Sequence, residues 1–170
     1  NIEVNHAILA KHSFEHEIAY ALANDIFGSI DINRGDYLVG WDTDQFPNNT
    51  EELLLPFYYL FKNQGLGSGG LNMDAKIRRQ SIDPEDLFYA HIGAMDTCAR
   101  ALLAVERMIN DGSYEEFLQK RYENWTHNKE LMSSASLEGI YEKVKSEDIN
   151  PQPQSGRQEY LENLLNSFIE

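Results

Sequence analysis

The spacing of apolar positions changes several times along the chain, and each change marks an element. Residues 2 to 5, Ile-Glu-Val-Asn, alternate apolar and polar, which predicts a short strand at the very start of the sequence. Beyond Lys11 and His12, positions Phe14, Ile18, Ala21, Leu22 and Ile26 share one helical face, with Ser13 placed to cap the helix and Gly28 to end it. Residues 29 to 33 predict a second strand. A long polar loop follows from Arg34 to Asn49, with Gly35, Gly40 and Pro47 as breakers. Thr50 to Asn63 is helical by pattern, and Pro56 is expected to kink that helix or delay its start. A glycine-rich turn, Gln64 to Gly70, leads into a third strand over residues 71 to 74. Strands alternating with helices predict three parallel strands, because a parallel neighbour is reached only through a long crossover.

The second half reads as helix throughout. Asp83-Pro84-Glu85-Asp86 combines a capping Asp, Pro at the first helical position and an acid three residues after the cap. Phe88, Ile92, Met95, Ala99, Leu102 and Ile109 then keep helical spacing to a stop near Asp111 and Gly112. Ser113-Tyr-Glu-Glu116 reads as a capping box for a helix carrying Phe117, Leu118 and Tyr122. Shorter helices are expected over residues 136 to 144 and 158 to 168, separated by an extended linker from Asn150 to Gly156. The expected organisation is an α/β segment, residues 1 to 82, followed by a helical extension, residues 83 to 170, whose apolar stripes need a surface to cover.

Size and charge narrow the classes. A chain of 170 residues forms one domain with a real core, but a complete (β/α)8 barrel usually needs about 250 residues, so a partial barrel is the most this chain provides. Its 28 acidic against 14 basic residues give a net charge of -14, which repels nucleic acid and anionic bilayers. No apolar run reaches the roughly 18 residues that span a bilayer, and Asn1 to His12 lack the pattern of a signal peptide. The lone Cys98 suits a reducing compartment, so a cytoplasmic location is expected.

Candidate chemistry gathers where parallel α/β sheets bind ligands, at the carboxyl ends of the strands. Glu3 and His6 lie at the end of the first predicted strand, Asp31 at the end of the second and Asp74 at the end of the third, while Asp42 and Asp44 stand two apart in the loop after the second. Five carboxylates and one imidazole in one mouth would repel strongly without a cation. A mostly oxygen donor set suits Mg²⁺, Mn²⁺ or Co²⁺, and two ions fit six ligands better than one. His16 and Trp41 are candidates for a supporting role, His16 as a hydrogen-bond partner or a surface residue, and Trp41 as a ring packed under its own loop or a surface on which a sugar ring stacks. Lys76, Arg78 and Arg79 are placed to balance the acidic mouth or to pair with acids on a neighbouring chain. Gly65 to Gly70 reads as a tight turn, since no P-loop lysine follows it.

Five stretches carry a specific resemblance: Asn1-Ile-Glu-Val-Asn-His6, Gly28-Ser-Ile-Asp-Ile-Asn-Arg-Gly-Asp36, Gly40-Trp-Asp-Thr-Asp-Gln-Phe-Pro47, Gly69-Gly-Leu-Asn-Met-Asp-Ala-Lys76 and Ser155-Gly-Arg-Gln-Glu-Tyr-Leu-Glu-Asn163. Together they resemble the xylose isomerase family over the whole chain, but only its C-terminal part, from the sixth barrel strand into the helical extension. The resemblance implies a partial (β/α)8 TIM barrel and two divalent cations serving an aldose-ketose isomerisation, D-xylose to D-xylulose, by hydride shift. It implies Glu3 as the carboxylate bridging both ions, Asp31 and Asp74 on the ion that grips the sugar hydroxyls, and His6, Asp42 and Asp44 on the other.

It also implies that one carboxylate, the ring-opening His-Asp pair, a substrate-binding lysine and the aromatic pocket wall would come from outside these residues. Three strands with open edges need a cover. The expected partners are therefore an aldose such as D-xylose or D-glucose and either further copies of the chain or a complementary N-terminal chain. The alternative is an inactive metal-binding half-barrel that self-associates.

Overall fold

The computed structural model describes residues 1–129 and 136–169. Its first compact unit comprises residues 1–107 with the chain from Asn166 onward, and its second spans Met108–Leu165.

The first unit opens with β1 (Ile2–Glu3), α1 (Val4–Leu9), α2 (Phe14–Ala23), β2 (Ile30–Asp31), α3 (Thr50–Lys62) and β3 (Leu71–Asn72). The sheet is parallel throughout, in the order β1-β2-β3. Its register sets Ile2 beside Ile30 and Leu71, and Glu3 beside Asp31 and Asn72. The expected parallel α/β arrangement is therefore present, in short form.

Each strand is only two residues long, and the reason lies in the side chains that take over from the ladder. The alternation of Ile2 to Asn5 stops at Glu3 because Val4, Asn5, Ala7 and Ile8 bury together on the helical period of α1. The Asn5 N–H then donates to the Asn33 side chain, 2.9 Å, rather than to a neighbouring strand. β2 and β3 end where the same Asn33 amide reaches the Asp74 carbonyl at 3.0 Å.

α1 was not expected. It closes with Lys11 in the left-handed region, φ 66°, and with the His12 N–H on the Ala7 carbonyl, the pairing of a Schellman stop. α2 ends at Asn24 rather than near Gly28: Asp25 turns left-handed and the Ile26 N–H bonds back to Ala21, leaving Ile26 exposed. Ser13 stands at the N-cap but its hydroxyl makes no capping bond.

α3 packs on α2 around buried Ile18, Leu53, Leu54 and Phe57. Pro56 lies inside α3 without delaying its start, its ring fully buried, so packing offsets the lost backbone donor. The Asn49 side chain accepts from the Glu51 N–H at 3.0 Å. Asn49→Ala is expected to lower stability by about 1 kcal/mol, read as a shifted midpoint in urea unfolding with an unchanged slope.

α4 (Pro84–Asp111) starts as its sequence predicts, the Asp86 carboxylate accepting from the Asp83 N–H at 3.1 Å. Its small residues Ala94, Ala101 and Ala104 are buried, whereas Phe88, Ile92, Met95 and Leu102 are exposed. In the first unit the Arg107 guanidinium holds the Phe168 carbonyl, 2.9 and 2.5 Å from two of its nitrogens.

In the second unit α5 (Ser113–His127) follows Gly112, which occupies the N-cap in the left-handed region; Ser113 is the first helical residue and gives its N–H to Asp111 at 3.0 Å. α6 (Leu137–Ser146) is capped by Ser136, whose hydroxyl accepts from the Gly139 N–H at 3.0 Å. At the start of α7 (Gln158–Ser167), the Arg157 guanidinium lies 4.4 Å from the centroid of the Tyr160 ring. No helix among the described residues is long and apolar enough to cross a membrane.

Candidate metal centre

The sheet register determines the site. Glu3 and Asp31 end neighbouring strands side by side, and Asp74 lies two residues beyond β3. Because α1 begins at Val4, the three-residue step from Glu3 to His6 covers most of a helical turn and returns to the same side. The Glu3 carboxylate meets the His6 Nδ1 at 3.1 Å, and the other ring nitrogen of His6 meets the Asp42 carboxylate at 3.3 Å.

Two triads result, Glu3 with His6 and Asp42, and Glu3 with Asp31 and Asp74; in each, one ligand atom per residue lies within 4.8 Å of the others. Glu3 is common to both. Asp44, the sixth predicted residue, stands beside the triads: it is buried and bonded to the Lys76 ammonium at 2.5 Å. His16 stands apart on α2 against Glu17 and His12, and the Trp41 ring is exposed.

Amides that the sequence reading did not single out hold these acids. Asn33, itself buried, donates to the Glu3 carboxylate at 2.9 Å and lies 3.4 Å from an Asp44 oxygen. Asn1 and Asn72 flank Asp31 at 2.5 and 3.2 Å, and Asn5 donates to Asp42. The Asn5 side-chain amide oxygen is packed against Gly35, where an added Cβ would come within 2.0 Å of it, so any larger residue there must displace the Asn5 side chain. No motif announces these amides: Asn1 precedes β1, Asn5 lies in α1, Asn33 lies just beyond β2 and Asn72 ends β3.

Electrostatics separate the two inner acids. Burial pushes the Glu3 carboxyl up, helped by Asp42 and Asp44 and opposed by the Asn33 hydrogen bond and His6. Burial acts upward on Asp44 too, but the Lys76 hydrogen bond and charge, with its other neighbours, hold it below the usual range. Asp44 in turn raises Lys76.

The loop carrying Asp44 is fastened by Arg78, one of whose terminal nitrogens is 2.7 Å from the Thr43 carbonyl, 3.1 Å from that of Asp44 and 2.8 Å from that of Lys76. Arg78→Gln is expected to weaken Mn²⁺ binding roughly tenfold with little change in melting temperature. A titration followed by Mn²⁺ paramagnetic resonance measures it, and unchanged affinity would refute the role.

Hard carboxylate oxygens with a single imidazole, divided between two triads around one shared acid, fit a pair of oxygen-preferring divalent cations. The class so defined is a parallel α/β protein with a candidate dinuclear centre at its strand ends. Comparison with known proteins narrows it. A family model described as the XylA2 C-terminal domain matches residues 118–169. Over 99% of its length the chain is 58% identical to a xylose isomerase of Ruegeria sp. (strain TM1040), and likewise 59% identical to one of Cereibacter sphaeroides and 56% to one of Brucella canis. It spans 39% of the length of each of these relatives. The chain belongs to the xylose isomerase family and corresponds to its C-terminal part.

Proposed function

We propose that this chain supplies the metal-holding strand ends of a divalent-cation-dependent aldose-ketose isomerase that converts D-xylose to D-xylulose and also accepts D-glucose. The observation that carries the reading is the pair of triads sharing Glu3. In this reading Glu3 would be shared by both cations, Asp31 and Asp74 would complete the place for the one serving the hydroxyls of the open-chain sugar, and His6 and Asp42, with Asp44 beside them, would hold the other. When bound, the cations would supply Lewis-acid polarisation of the sugar oxygens. The chain's own residues orient and balance: Asn33 fixes the Glu3 carboxylate, and Lys76 compensates Asp44. Trp41, exposed beside Asp42, offers a ring surface to the sugar, while His16 lies apart on α2 against His12 and Glu17.

The reaction is an internal redox exchange. Hydride leaves C2 of the aldose for C1, so C1 is reduced to an alcohol and C2 is oxidised to the ketone, and one proton moves between their oxygens. Residues 1–82 are the partial (β/α)8 barrel of this reading, and residues 83–170 the extension that contacts other subunits. Exposed Phe88, Ile92 and Met95 on α4 support an assembly, of further copies or of a complementary N-terminal chain. The acidic charge and single cysteine fit the cytoplasm.

The test assembles this chain with a complementary N-terminal chain of the isomerase family and supplies Mn²⁺ and D-xylose deuterated at C2. Xylulose carrying deuterium at C1, and no turnover with EDTA, is the expected result. Deuterium lost to solvent would overturn the hydride shift. Two bound Mn²⁺ without any turnover would establish instead the inactive metal-binding module, which the 39% span also accommodates.

A further inference from the structure

A second cluster of ligating side chains lies outside the strand-end site. His12 occupies the junction between α1 and α2, while His16 and Glu17 lie in the first turns of α2. His12 Nδ1 contacts the Glu17 carboxylate, and His16 Nδ1 lies 3.6 Å from the same oxygen. The two imidazole rings have centroids 4.5 Å apart and are tilted by 52°. One ligand atom from each of the three residues lies within 4.8 Å of the others.

The backbone beneath this cluster is fixed at both ends. The His12 N–H is held on Ala7 by the left-handed stop at Lys11, and buried Phe14 anchors the start of α2 in the core. The side chains above it are free to adjust, with about half of each imidazole exposed, 48% for His12 and 53% for His16. A tetrahedral zinc ion needs ligand atoms about 3.3 Å apart, given metal–ligand bonds near 2.0 Å. Rotation of the exposed side chains covers that difference without backbone movement.

From this geometry we infer that His12, His16 and Glu17 form a separate site for a zinc-class divalent cation, with water completing the coordination. Its chemistry is the reverse of the strand-end centre. Two imidazoles and one carboxylate favour Zn²⁺ over Mg²⁺ or Mn²⁺, whereas carboxylates with one imidazole favour the harder ions. The protein therefore sorts cations between the two places by donor softness. A net charge of -14 raises the local concentration of either kind. Binding at this site ties the α1–α2 junction to the first turn of α2.

The test equilibrates the protein with excess Mn²⁺, adds one equivalent of Zn²⁺ and counts the imidazoles around zinc by X-ray absorption at the zinc edge. Two imidazoles per zinc are expected, since the strand-end centre has only His6 to offer. The double change His12→Gln with His16→Gln is expected to weaken Zn²⁺ binding at least tenfold and to leave Mn²⁺ stoichiometry unchanged. Should the double variant not fold, His16→Gln alone is read in the same way. A single imidazole per zinc, or unchanged Zn²⁺ affinity in these variants, would overturn the inference. Neither result depends on sugar turnover, so failure of the isomerase reading and failure of this one are distinguishable.

Discussion

Replacing Glu3 with Gln should cost the protein both strand-end cations at once, whereas His6→Asn or Asp74→Asn should cost only one. Glu3 is the single residue common to the two triads, so its loss strips a ligand from each. An expected loss of at least about 100-fold in affinity exceeds what removal of an orienting neighbour does. Native mass spectrometry in Mn²⁺ reads the stoichiometry, and a Glu3→Gln protein that still binds two ions would refute the shared-ligand geometry. The fold should survive, because Gln keeps an oxygen to accept the Asn33 hydrogen bond of 2.9 Å.

The same substitution has a pH signature. Burial raises the Glu3 carboxyl, so the folded chain binds that proton more tightly than the unfolded chain. With cations removed, the associated stability is fully present below the unfolded pKa and is lost as pH rises through the raised folded value. Asp44 acts in the opposite sense. Its lowered carboxyl contributes stability above its unfolded pKa, and this is lost as pH falls through the folded value. Melting curves in EDTA across the carboxylate range should show both limbs, and Glu3→Gln should abolish only the loss on the rising side. Cation affinity should rise with pH until Glu3 has released its proton.

The largest effect on stability is expected from one methyl group at Gly69. A Cβ there would meet the Gly28 carbonyl oxygen at 1.8 Å and its carbon at 2.9 Å. Both atoms are backbone, so no side chain can swing aside, and Gly28 and Gly69 must separate. Ser29 and Gly70, the next residues, supply the carbonyls that accept from Ile2 and Ile30 at 2.9 Å each. The separation therefore opens the sheet at its first rungs. Gly69→Ala is expected to cost roughly 3 kcal/mol or more, a fall of about 6 to 12 °C in melting temperature for a chain of this size. Gly70→Ala, with nothing within 4 Å of its added carbon, is the control. Equal melting temperatures for the two variants would show that the close approach is not obligatory.

What the sequence revealed follows from the kind of signal each feature leaves. Capping residues and apolar spacing act locally, so the starts of α3 and α4 and the parallel order of the strands were legible. The end of α2 was misplaced because Asn24 and Asp25 stop it without glycine. α1 was missed because Val4, Ala7 and Ile8 serve a helix while Ile2 to Asn5 also alternate like a strand. For the site, carboxylates at strand ends marked Glu3, Asp31 and Asp74, spacing marked His6 and Asp42, and Lys76 was among the cations placed near the acids. Asn33 was not anticipated, since nothing in an isolated Asn says that its amide will take up the Asn5 N–H and the Asp74 carbonyl where the ladder stops. Nor does periodicity say what covers a stripe: the apolar spacing of α4 is real, yet Phe88, Ile92 and Met95 stand exposed.

Asn33 has one more consequence. Its oxygen takes the Asn5 backbone N–H while its nitrogen serves the Glu3 carboxylate and the Asp74 carbonyl. A single planar group thus couples a main-chain proton to the orientation of the shared acid. Deuterium uptake at the Asn5 amide becomes a clock for the site: it can exchange only when Asn33 lets go, which is also when Glu3 is free to turn away.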